Sequence, residues 1–449
     1  MASGSASWNP MEAMIRRTDP EYDAERTGYQ LLAPHEPDLI VPATTAGDVR
    51  RAVARAAADG LPVTVQNTGH GLPVTTSGGL LITTGRMDAV TVDPAAGTAR
   101  IEAGVRWQQV IEEAARHGLA PLSGSSPHVG AVSYTLGGGI GLMARRHGYA
   151  ADQVRAIDVV TADARARHVT PDGDPDLFWA LVGGRGNFGV VTALEIGLVP
   201  VERLYGGGLY FDAGLVGDTL RTWSDWTRAL PDEMTSSVAI IPFPDLPQAP
   251  APFRGRTVAH VRVSFTGESE EGEALLRPLR AIGPRLVDTV GELPYTASGA
   301  IHNDPKGPAG FFATHDLLRE LPPAAVDPLL DVPGRVVEIR HLGGALSKPQ
   351  GSPNSVGNRD AQYLVGVLSP GLAPGTETRT PRLAHEKVRR ALETWSTGGR
   401  ALNFLYGENA TQEEVRKAYE PEDYRRLTAL KSQWDPAHLF RLGHAVPPA

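Results

Sequence analysis

Three glycine-rich loops within the first 190 residues most limit what this chain can fold into. They read Q-N-T-G-H-G (66–71), L-G-G-G-I-G (136–141) and G-G-R-G-N-F-G (183–189). Glycine lets the backbone approach a ligand without an intervening Cβ, and successive backbone N–H groups in such loops bind phosphate oxygens. Each loop alone is equally well explained as a tight turn. Three in one region indicate a long ligand held by several backbone segments, as a dinucleotide would be.

The two later loops match neither common nucleotide-binding motif. They lack the Rossmann order of strand, G-x-G-x-x-G and helix, and they are not a G-x-x-x-x-G-K-[ST] phosphate loop. Cysteine is absent, which excludes disulfides, thiolate metal sites and cysteine nucleophiles. There is no G-x-S-x-G elbow of a serine hydrolase. We expect no metal, because metal-like pairing is absent among His70, His117, His128, His147 and His168.

Length and charge narrow the class of protein further. A chain of 449 residues is too long for one ordinary core, so at least two domains are expected. The net charge of −8 argues against nucleic acid as the main partner. No apolar run approaches the roughly 18–20 residues that cross a bilayer, so no membrane association is expected. The N-terminus does not resemble a signal peptide, and a cytoplasmic protein is the default expectation.

The segment that leads into the first glycine loop has the pattern of a β-α-β unit. We predict a strand over Leu39–Val41, a helix capped by Thr45 and ended by Gly60, and a strand over Val63–Gln66. The second strand runs directly into the loop that carries His70. The predicted buried stripe of the helix recurs every four residues, at Val49, Val53 and Ala57.

The remaining pattern divides near residue 199. Residues 200–395 contain scattered apolar runs separated by Pro/Gly-rich loops, which favours antiparallel strands with helices between them. We take this region as a second domain. The other predicted elements are a helix over Trp107–His117, strands over Ala156–Thr161, Val190–Ile196 and Leu402–Leu405, and helices near 411–419 and 421–433.

Several longer motifs follow the order of one protein family over nearly the whole chain. They are P-D-L-I-V-P-A-T-T-A-G-D-V, V-Q-N-T-G-H-G, G-G-L-L-I-T-T-G-R-M, A-R-I-E-A-G-V-R-W, G-S-S-P-H-V-G-A-V-S-Y-T-L-G-G-G-I-G, D-P-D-L-F-W-A-L-V-G-G-R-G-N-F-G-V-V-T and Y-R-R-L-T-A-L-K-S-Q-W-D-P-A-H-L-F-R. In this order the chain resembles the FAD-linked oxidases of the vanillyl-alcohol-oxidase type. Within them it is similar to the berberine-bridge-enzyme-like group, which includes bacterial oxidases of secondary metabolism and resistance such as the mitomycin resistance oxidase.

The resemblance implies an α+β fold. A PCMH-type FAD-binding domain with two α/β subdomains would be formed by both chain ends, residues 1–203 and 397–449. Residues 204–396 would form a substrate-binding domain, an antiparallel β-sheet flanked by helices that roofs the flavin ring.

The resemblance also implies FAD as the cofactor, with His70 bonded through a ring nitrogen to the flavin 8α carbon. A neutral imidazole is a competent nucleophile near pH 7. The alternative is a loop histidine that only touches the flavin. The cofactor-binding residues implied by the resemblance are Val65, Gln66, Asn67, Thr68, Gly69, His70, Gly71, Leu72, Gly124, Ser125, Ser126, Val129, Gly130, Tyr134, Gly138, Gly139, Gly141, Leu142, Gly186, Asn187, Gly189, Val190, Val191 and Asn403.

Three positions depart from the family pattern. Ser126 stands where many relatives place a second, cysteine anchor for the flavin, so we expect a single linkage and a compact substrate rather than an oligosaccharide. Tyr134 stands where histidine is common, and it either touches the flavin or substrate or packs under the ring. Ala401 replaces the tyrosine of a Y-x-N motif that supplies the catalytic base, while Asn403 is kept and could contact the flavin. Tyr406 is expected on the opposite face of the predicted strand, distant from the site.

Another residue must therefore supply the base, or the substrate must need none, as for hydroquinones and phenols. The candidate catalytic residues are Tyr134, His341 and Tyr363. Arg340 and Arg359 are further polar candidates from the middle domain, although each of these middle-domain residues is more often structural.

The sequence thus predicts an FAD-dependent oxidase. It would pass two electrons from a small aromatic, quinol or polyketide-like metabolite to the flavin and then to O2. One alternative is a protein that keeps the flavin fold but sequesters a toxic small molecule, which the absent base favours. Another is a dehydrogenase whose reduced flavin ignores oxygen. The oligomeric state is left open between monomer and homodimer.

Overall fold

The computed structural model describes residues 14–71 and 75–449, and its mixture of sheets and helices confirms the α+β class. The strands are β1 (Ile15–Arg16), β2 (Leu39–Pro42), β3 (Val63–Gln66), β4 (Leu80–Thr83), β5 (Val90–Asp93), β6 (Thr98–Glu102), β7 (Val154–Val160), β8 (Ala166–Val169), β9 (Val190–Gly197), β10 (Arg203–Asp212), β11 (Met234–Pro242), β12 (Thr257–Phe265), β13 (Val287–Asp288), β14 (Gly291–Pro294), β15 (Phe311–Leu318), β16 (Val336–His341) and β17 (Tyr363–Pro370).

The α-helices are α1 (Tyr22–Arg26), α2 (Ala46–Asp59), α3 (Trp107–Ala115), α4 (Ala131–Leu136), α5 (Ala144–His147), α6 (Pro175–Gly184), α7 (Val216–Thr227), α8 (Ser269–Arg280), α9 (Pro323–Leu330), α10 (Arg379–Leu392), α11 (Gln412–Arg416) and α12 (Pro421–Trp434). Short 3₁₀ helices cover Ala150–Gln153, Arg185–Asn187, Ala213–Leu215, Tyr295–Ala300, Gly344–Ser347, Glu393–Trp395, Leu402–Phe404 and Gly407–Asn409.

Two small sheets come from the N-terminal part of the chain. The first has the order β1-β2-β4-β3, and β2 and β3 both run parallel to β4. The second is antiparallel, with the order β5-β6-β9-β7-β8. The carboxyl end of β3 leads into the first glycine loop, and the third glycine loop leads into the start of β9. The two sheets therefore set the positions of both loops.

The third sheet takes all its strands from β10 to β17. Its order is β13-β10-β12-β11-β16-β17-β15, and β14 pairs with the remaining length of β10. Helices α7 to α10 cover one face with apolar side chains such as Leu220, Trp223, Leu276, Val326 and Leu392. The division of the chain into domains at residues 203 and 397 stays a prediction.

The predicted β-α-β unit forms, with one change in the buried stripe. Thr45 and Asp48 make a reciprocal capping box at the start of α2, and Gly60 ends the helix in the left-handed conformation, with φ of 66°. Ala56 rather than Ala57 is buried beside Val49 and Val53. A strict four-residue repeat drifts around a helix of 3.6 residues per turn, so the stripe steps back by one residue.

The predicted strand at Leu402–Leu405 is wrong. The segment forms a 3₁₀ turn in which the N–H of Phe404 donates to the carbonyl of Ala401 (2.9 Å). The N–H of Ala401 donates instead to Nε2 of His315 (2.8 Å), a side chain of β15. Because the segment does not alternate like a strand, the expectation that Tyr406 lies far from the site also fails.

A fully buried ion pair joins the C-terminal segment to the third glycine loop. The ammonium of Lys431 lies 2.6 Å from the Asp435 carboxylate and donates to the carbonyls of Asn187 (2.6 Å) and Phe440 (2.9 Å). Asp435 in turn accepts the N–H groups of Leu439 (2.7 Å) and Phe440 (2.9 Å). Every strong donor and acceptor of the pair is used, which is the condition for a buried charge pair to be tolerated.

Replacing Lys431 with Met should therefore lower the free energy of unfolding by about 3–5 kcal/mol, because it leaves the Asp435 carboxylate buried without its counter-charge. Chemical denaturation of the purified protein measures this. Lys387→Met is the matched control, since Lys387 pairs with Asp331 in an exposed position and such pairs contribute about 0–1 kcal/mol. Equal losses in the two variants would contradict the role given to Lys431.

Candidate active site

A cavity of about 680 Å³ lies between the glycine loops and the face of the large sheet that α7 to α10 leave uncovered. The first and third loops line one wall, and side chains of β12, β16 and β17 line the other. The segment 403–406 and the chain near 440–444 close one side. The volume is in the range of sites that enclose a small organic ligand.

The first glycine loop is fixed through its carbonyl groups. Those of Gln66, Thr68 and Gly69 accept the N–H groups of Thr84 (3.0 Å), Tyr29 (2.8 Å) and Gln30 (3.3 Å). None of the N–H groups of residues 67–71 donates to another described residue. A row of free N–H groups on a cavity wall is an anion-binding arrangement.

Glycine is required at one point of this loop. Gly69 has φ of +69°, and a Cβ built on it would lie 2.7 Å from the Cα of Gly28. The two glycines therefore permit the close backbone contact that seats the loop.

His70 is held with one ring nitrogen engaged and the other unpartnered. Nδ1 lies 2.9 Å from Oγ1 of Thr68, and the ring stacks on Tyr29 with centroids 3.9 Å apart. Nε2 is buried and has no hydrogen-bond partner. Burial, with smaller contributions from Arg106 and His128, lowers the pKa of His70 from 6.5 to about 4. The imidazole is therefore neutral at pH 7.

The second glycine loop wraps Tyr134 more than it lines the cavity. A Cβ on Gly139 would lie 2.4 Å from Cε1 of Tyr134, and one on Gly124 would lie 2.8 Å from its Cε2. The Tyr134 hydroxyl is buried without a partner, and burial raises its pKa above the usual value. Its ring borders the cavity, while the enclosed hydroxyl favours the packing alternative over contact with a ligand.

The third loop brings a guanidinium to the cavity wall. Arg185 donates to the Asn403 amide oxygen and lies 3.1 Å from Nδ1 of His444. Its Nε is buried without a partner, and no carboxylate among residues 14–71 and 75–449 pairs with it. Burial lowers its pKa from 12.5 to about 10, so it still carries its charge at pH 7.

The sheet wall carries a buried charge network. The Glu338 carboxylate accepts from Arg262 (2.5 Å) and from Nε of Arg340 (3.0 Å). Burial acts to raise the pKa of Glu338, but the two guanidinium groups outweigh it and hold the pKa below its usual value. Nearby, Asp304 accepts from Ser125 (2.7 Å). All five side chains border the cavity.

Phe404 and Tyr406 also border the cavity, next to the charged side chains of the sheet. The guanidinium of Arg340 lies 5.5 Å from the centroid of the Phe404 ring, and Tyr406 meets Phe311 edge-on at 5.7 Å. Burial raises the pKa of Tyr406 to about 12 despite Arg340 and Arg185, which act in the opposite direction. Its hydroxyl therefore remains protonated at neutral pH.

Other histidines that border the cavity have mostly committed nitrogens. His315 uses both, toward the Phe404 carbonyl (3.0 Å) and the Ala401 N–H (2.8 Å), and His35 uses Nδ1 with Thr76. His302 differs, because its Nδ1 has no hydrogen-bond partner and lies 3.8 Å from the Glu338 carboxylate. Within the described residues, no group of acidic or histidine side chains could hold a metal ion, and no helix is long and apolar enough to span a bilayer.

Known proteins match this chain over both of its ends and along its length. Residues 37–170 match the family described as FAD binding domain, and residues 406–447 match the family described as berberine and berberine like. The (R)-6-hydroxynicotine oxidase of Paenarthrobacter nicotinovorans is 29% identical over 430 residues, covering 92% of this chain and 91% of that protein.

Solved structures agree over nearly the whole chain. A 6-hydroxy-D-nicotine oxidase from Arthrobacter nicotinovorans superposes with a TM-score of 0.81 at 25% identity, covering 97% of this chain and 98% of that one. A chitooligosaccharide oxidase superposes with a TM-score of 0.84 at 21% identity, covering 98% of each chain, which shows a shared fold.

These matches support the assignment of the chain to the berberine-bridge-enzyme-like FAD-linked oxidoreductases. The predicted family, the PCMH-type FAD-binding fold and the oxidoreductase class are thereby confirmed, and FAD is the cofactor.

The cavity of this FAD-linked oxidoreductase fits FAD. The free N–H groups of residues 67–71 suit a pyrophosphate, and unpartnered buried atoms on the wall include Oγ1 of Thr64, Nδ2 of Asn67 and Nε2 of His70. These polar atoms are costly to bury unless a ligand satisfies them.

Most residues predicted to bind the cofactor do border the cavity. These are Val65, Gln66, Asn67, Thr68, Gly69, His70, Gly71, Gly124, Ser125, Ser126, Val129, Tyr134, Gly186, Asn187, Gly189, Val190, Val191 and Asn403. Leu72 lies outside the described residues. Gly130, Gly138, Gly139, Gly141 and Leu142 lie behind the wall, where the glycines leave room for neighbouring side chains.

The structure does not bring His341 and Tyr363 to the cavity, which contradicts their predicted catalytic roles. His341 accepts from Arg145 (3.1 Å), and the Tyr363 hydroxyl lies 2.8 Å from Oγ1 of Thr227 in α7. Alternate residues of a strand face opposite sides of the sheet, so Arg340, which precedes His341 in β16, reaches the cavity instead. Arg359 is also structural, because it pairs with the fully buried Asp152 at 2.7 Å.

Replacing Tyr363 with Phe should leave the visible absorbance spectrum of the bound FAD unchanged. It should lower the free energy of unfolding by about 0.5–1.5 kcal/mol, the net contribution of one hydrogen bond, because the hydroxyl serves Thr227. Absorbance spectroscopy and chemical denaturation check the two expectations. A shifted flavin spectrum with an unchanged free energy of unfolding would contradict this role and indicate that Tyr363 belongs to the active site.

Proposed function

We propose that the protein is an FAD-dependent oxidase whose cofactor is bonded to His70. It oxidises a small aromatic, quinol or polyketide-like metabolite, and O2 receives the electrons. The observation that carries the proposal is the buried, unpartnered Nε2 of His70 on the wall of the cavity. Bound FAD accepts two electrons from an organic substrate and passes them to a second acceptor.

The surroundings of His70 support a covalent bond. A lowered pKa keeps the lone pair of the imidazole available, and contact with Thr68 and Tyr29 fixes the ring without using Nε2. Ser126 borders the same cavity. Its hydroxyl cannot form the thioether that a cysteine would, so a single linkage is proposed.

The substrate class rests on the opposite wall. Arg340, Phe404 and Tyr406 combine aromatic surface with hydrogen-bond donors, which suits a compact ring with oxygen substituents. A full-length relative is named for a hydroxylated nicotine, which is also a small substrate. Because residue 401 is alanine, no tyrosine is available there as a catalytic base. A phenol or hydroquinone needs no base of comparable strength.

The wild-type protein should show flavin fluorescence in its band on a denaturing gel under ultraviolet light. His70→Ala should lose that fluorescence, because no other nitrogen of the first loop occupies this position. His128→Ala is the matched control, since His128 is close enough for its charge to act on His70 but does not border the cavity, so this variant is expected to keep the fluorescence. A dark wild-type band from yellow protein would show that FAD is bound without a covalent bond.

Attachment should also depend little on pH. Burial lowers the pKa of His70, so at any pH well above this lowered pKa nearly every His70 side chain is neutral. The attachment rate should therefore stay flat from about pH 5.5 to 8. Apoprotein made under riboflavin limitation can be mixed with FAD and sampled for in-gel fluorescence. A rate that falls with a midpoint near the ordinary histidine pKa would contradict the buried, neutral imidazole.

Anaerobic mixing separates the oxidase from its alternatives. Substituted hydroquinones and (R)-6-hydroxynicotine are the first candidates, and a substrate should bleach the FAD absorbance, with rapid recovery on admitting air. Bleaching without recovery would identify a dehydrogenase. Compounds that bind tightly and never bleach the flavin would favour sequestration, which the absence of a tyrosine at residue 401 also suits.

A further inference from the structure

His302 differs from the other histidines of the cavity because neither of its ring nitrogens forms a hydrogen bond with a described residue. Nδ1 is buried without a partner and lies 3.8 Å from the Glu338 carboxylate. Nε2 has no partner within residues 14–71 and 75–449 either, but it is not sealed off as Nδ1 is. The side chain borders the cavity and is 6% exposed. The ring therefore has one free nitrogen that is accessible and one that is enclosed.

A second, much smaller space adjoins the cavity at His302. This chamber has a volume of about 20 Å³ and is lined by residues 140–142 of the second glycine loop and by side chains of β11, β12 and β16. His302, Arg262, Arg340 and Ser125 border both the chamber and the main cavity. These four side chains therefore form the partition between the two spaces.

Four polar atoms of residues that line the chamber are buried without a partner in the protein. They are Oγ of Ser237, Oγ of Ser264, Nδ1 of His302 and Nδ1 of His341. Buried polar atoms are nearly always hydrogen-bonded to protein or to water. A space of this size holds about one water, and a buried water makes about two to four hydrogen bonds. One water in the chamber would therefore satisfy atoms that the protein itself leaves unpaired.

The surroundings of His302 favour its neutral form. Burial is the main cause that lowers the pKa of His302 well below its usual value, and Arg262, Arg340 and His260 act in the same direction. The Glu338 carboxylate faces Nδ1 but is shared between the two guanidinium groups. The ring is thus neutral at pH 7, and it readily releases any proton that it accepts.

We propose that His302 is a catalytic residue that accepts a proton from the substrate at Nε2 and passes the proton of Nδ1 to the water of the chamber. The inference rests on the proposed function and names the group that moves the proton where residue 401 supplies no tyrosine. A hydroxyl group becomes strongly acidic as electrons leave the ring that carries it, so a weakly basic imidazole is sufficient.

Atoms and electrons balance for a hydroquinone. Both of its O–H bonds break and a quinone forms, so two electrons and two protons leave it. The two electrons and one proton pass to the bound FAD. The other proton forms a bond to Nε2 of His302 while the Nδ1–H bond breaks toward the water, which leaves the ring neutral. O2 then takes two electrons and two protons and becomes H2O2.

Anaerobic stopped-flow absorbance of the FAD-loaded protein tests the transfer. Methoxyhydroquinone must lose its O–H protons to reduce the FAD, whereas sodium dithionite supplies electrons without an O–H group. His302→Ala should slow bleaching by methoxyhydroquinone about a hundredfold, the lower end of what a general base contributes. It should leave bleaching by dithionite unchanged. Added imidazole should restore part of the lost rate, which it would not do for a side chain with only a structural role.

His168→Ala is the matched control, because His168 is an exposed histidine paired with Asp158, and it should keep both rates. The flavin spectrum of each variant shows whether it still binds FAD. An unchanged methoxyhydroquinone rate in His302→Ala, or a loss that imidazole does not restore, would overturn the proposal and leave the oxidase standing. A wild-type protein that dithionite bleaches and no hydroquinone bleaches would overturn the proposed function and this inference with it, so the two failures are distinguishable.

The chamber is tested without any substrate. A crystal structure of the FAD-loaded protein that shows ordered waters should place one within about 3.2 Å of Nδ1 of His302. The same water should lie at hydrogen-bond distance from Oγ of Ser237 or Ser264. A dry chamber would overturn the transfer through Nδ1.

Discussion

The buried ammonium of Lys431 is the contact on which the cavity most depends. It joins the carbonyl of Asn187, within the third glycine loop in the N-terminal half, to the carbonyl of Phe440 near the C-terminus. Asp435 balances its charge and also fixes the turn that carries residues 439 and 440. The segments that contain Asn187 and Phe440 both border the cavity. The buried Lys431–Asp435 pair therefore holds two parts of the chain that are distant in sequence against the same ligand.

The two walls of the cavity rely on different chemistry. The loop wall offers backbone N–H groups and glycines, which bind through geometry and tolerate little added volume at Gly69. The sheet wall offers charged side chains held by one another, with Glu338 between Arg262 and Arg340. Backbone donors suit an unvarying cofactor. Side chains on a rigid sheet suit a substrate that differs among relatives.

Sequence alone predicted the local features well. The helix cap at Thr45, the helix end at Gly60 and the loop around His70 depend on neighbouring residues, so the sequence pattern is sufficient to predict them. Which side chains reach the cavity was harder to predict, because it depends on packing between elements that are distant in sequence. The sequence pattern favours His341 and Tyr363 over Arg340 as catalytic residues, yet which face of β16 meets the cavity depends on α7 to α10 covering the other face. Strand parity could have signalled it, since Val337, Ile339 and His341 form the buried set. Arg185 gave no signal, because its partners Asn403 and His444 are distant in sequence.

The central claim is that His70 anchors the cofactor, and peptide mass spectrometry tests it most directly. Trypsin cuts after Arg55 and Arg86 and releases peptide 56–86, which contains His70 as its single histidine. The account predicts that this peptide carries the mass of a bonded flavin and that fragmentation places it on His70. An unmodified peptide, recovered quantitatively from yellow protein with all flavin free in solution, would contradict it.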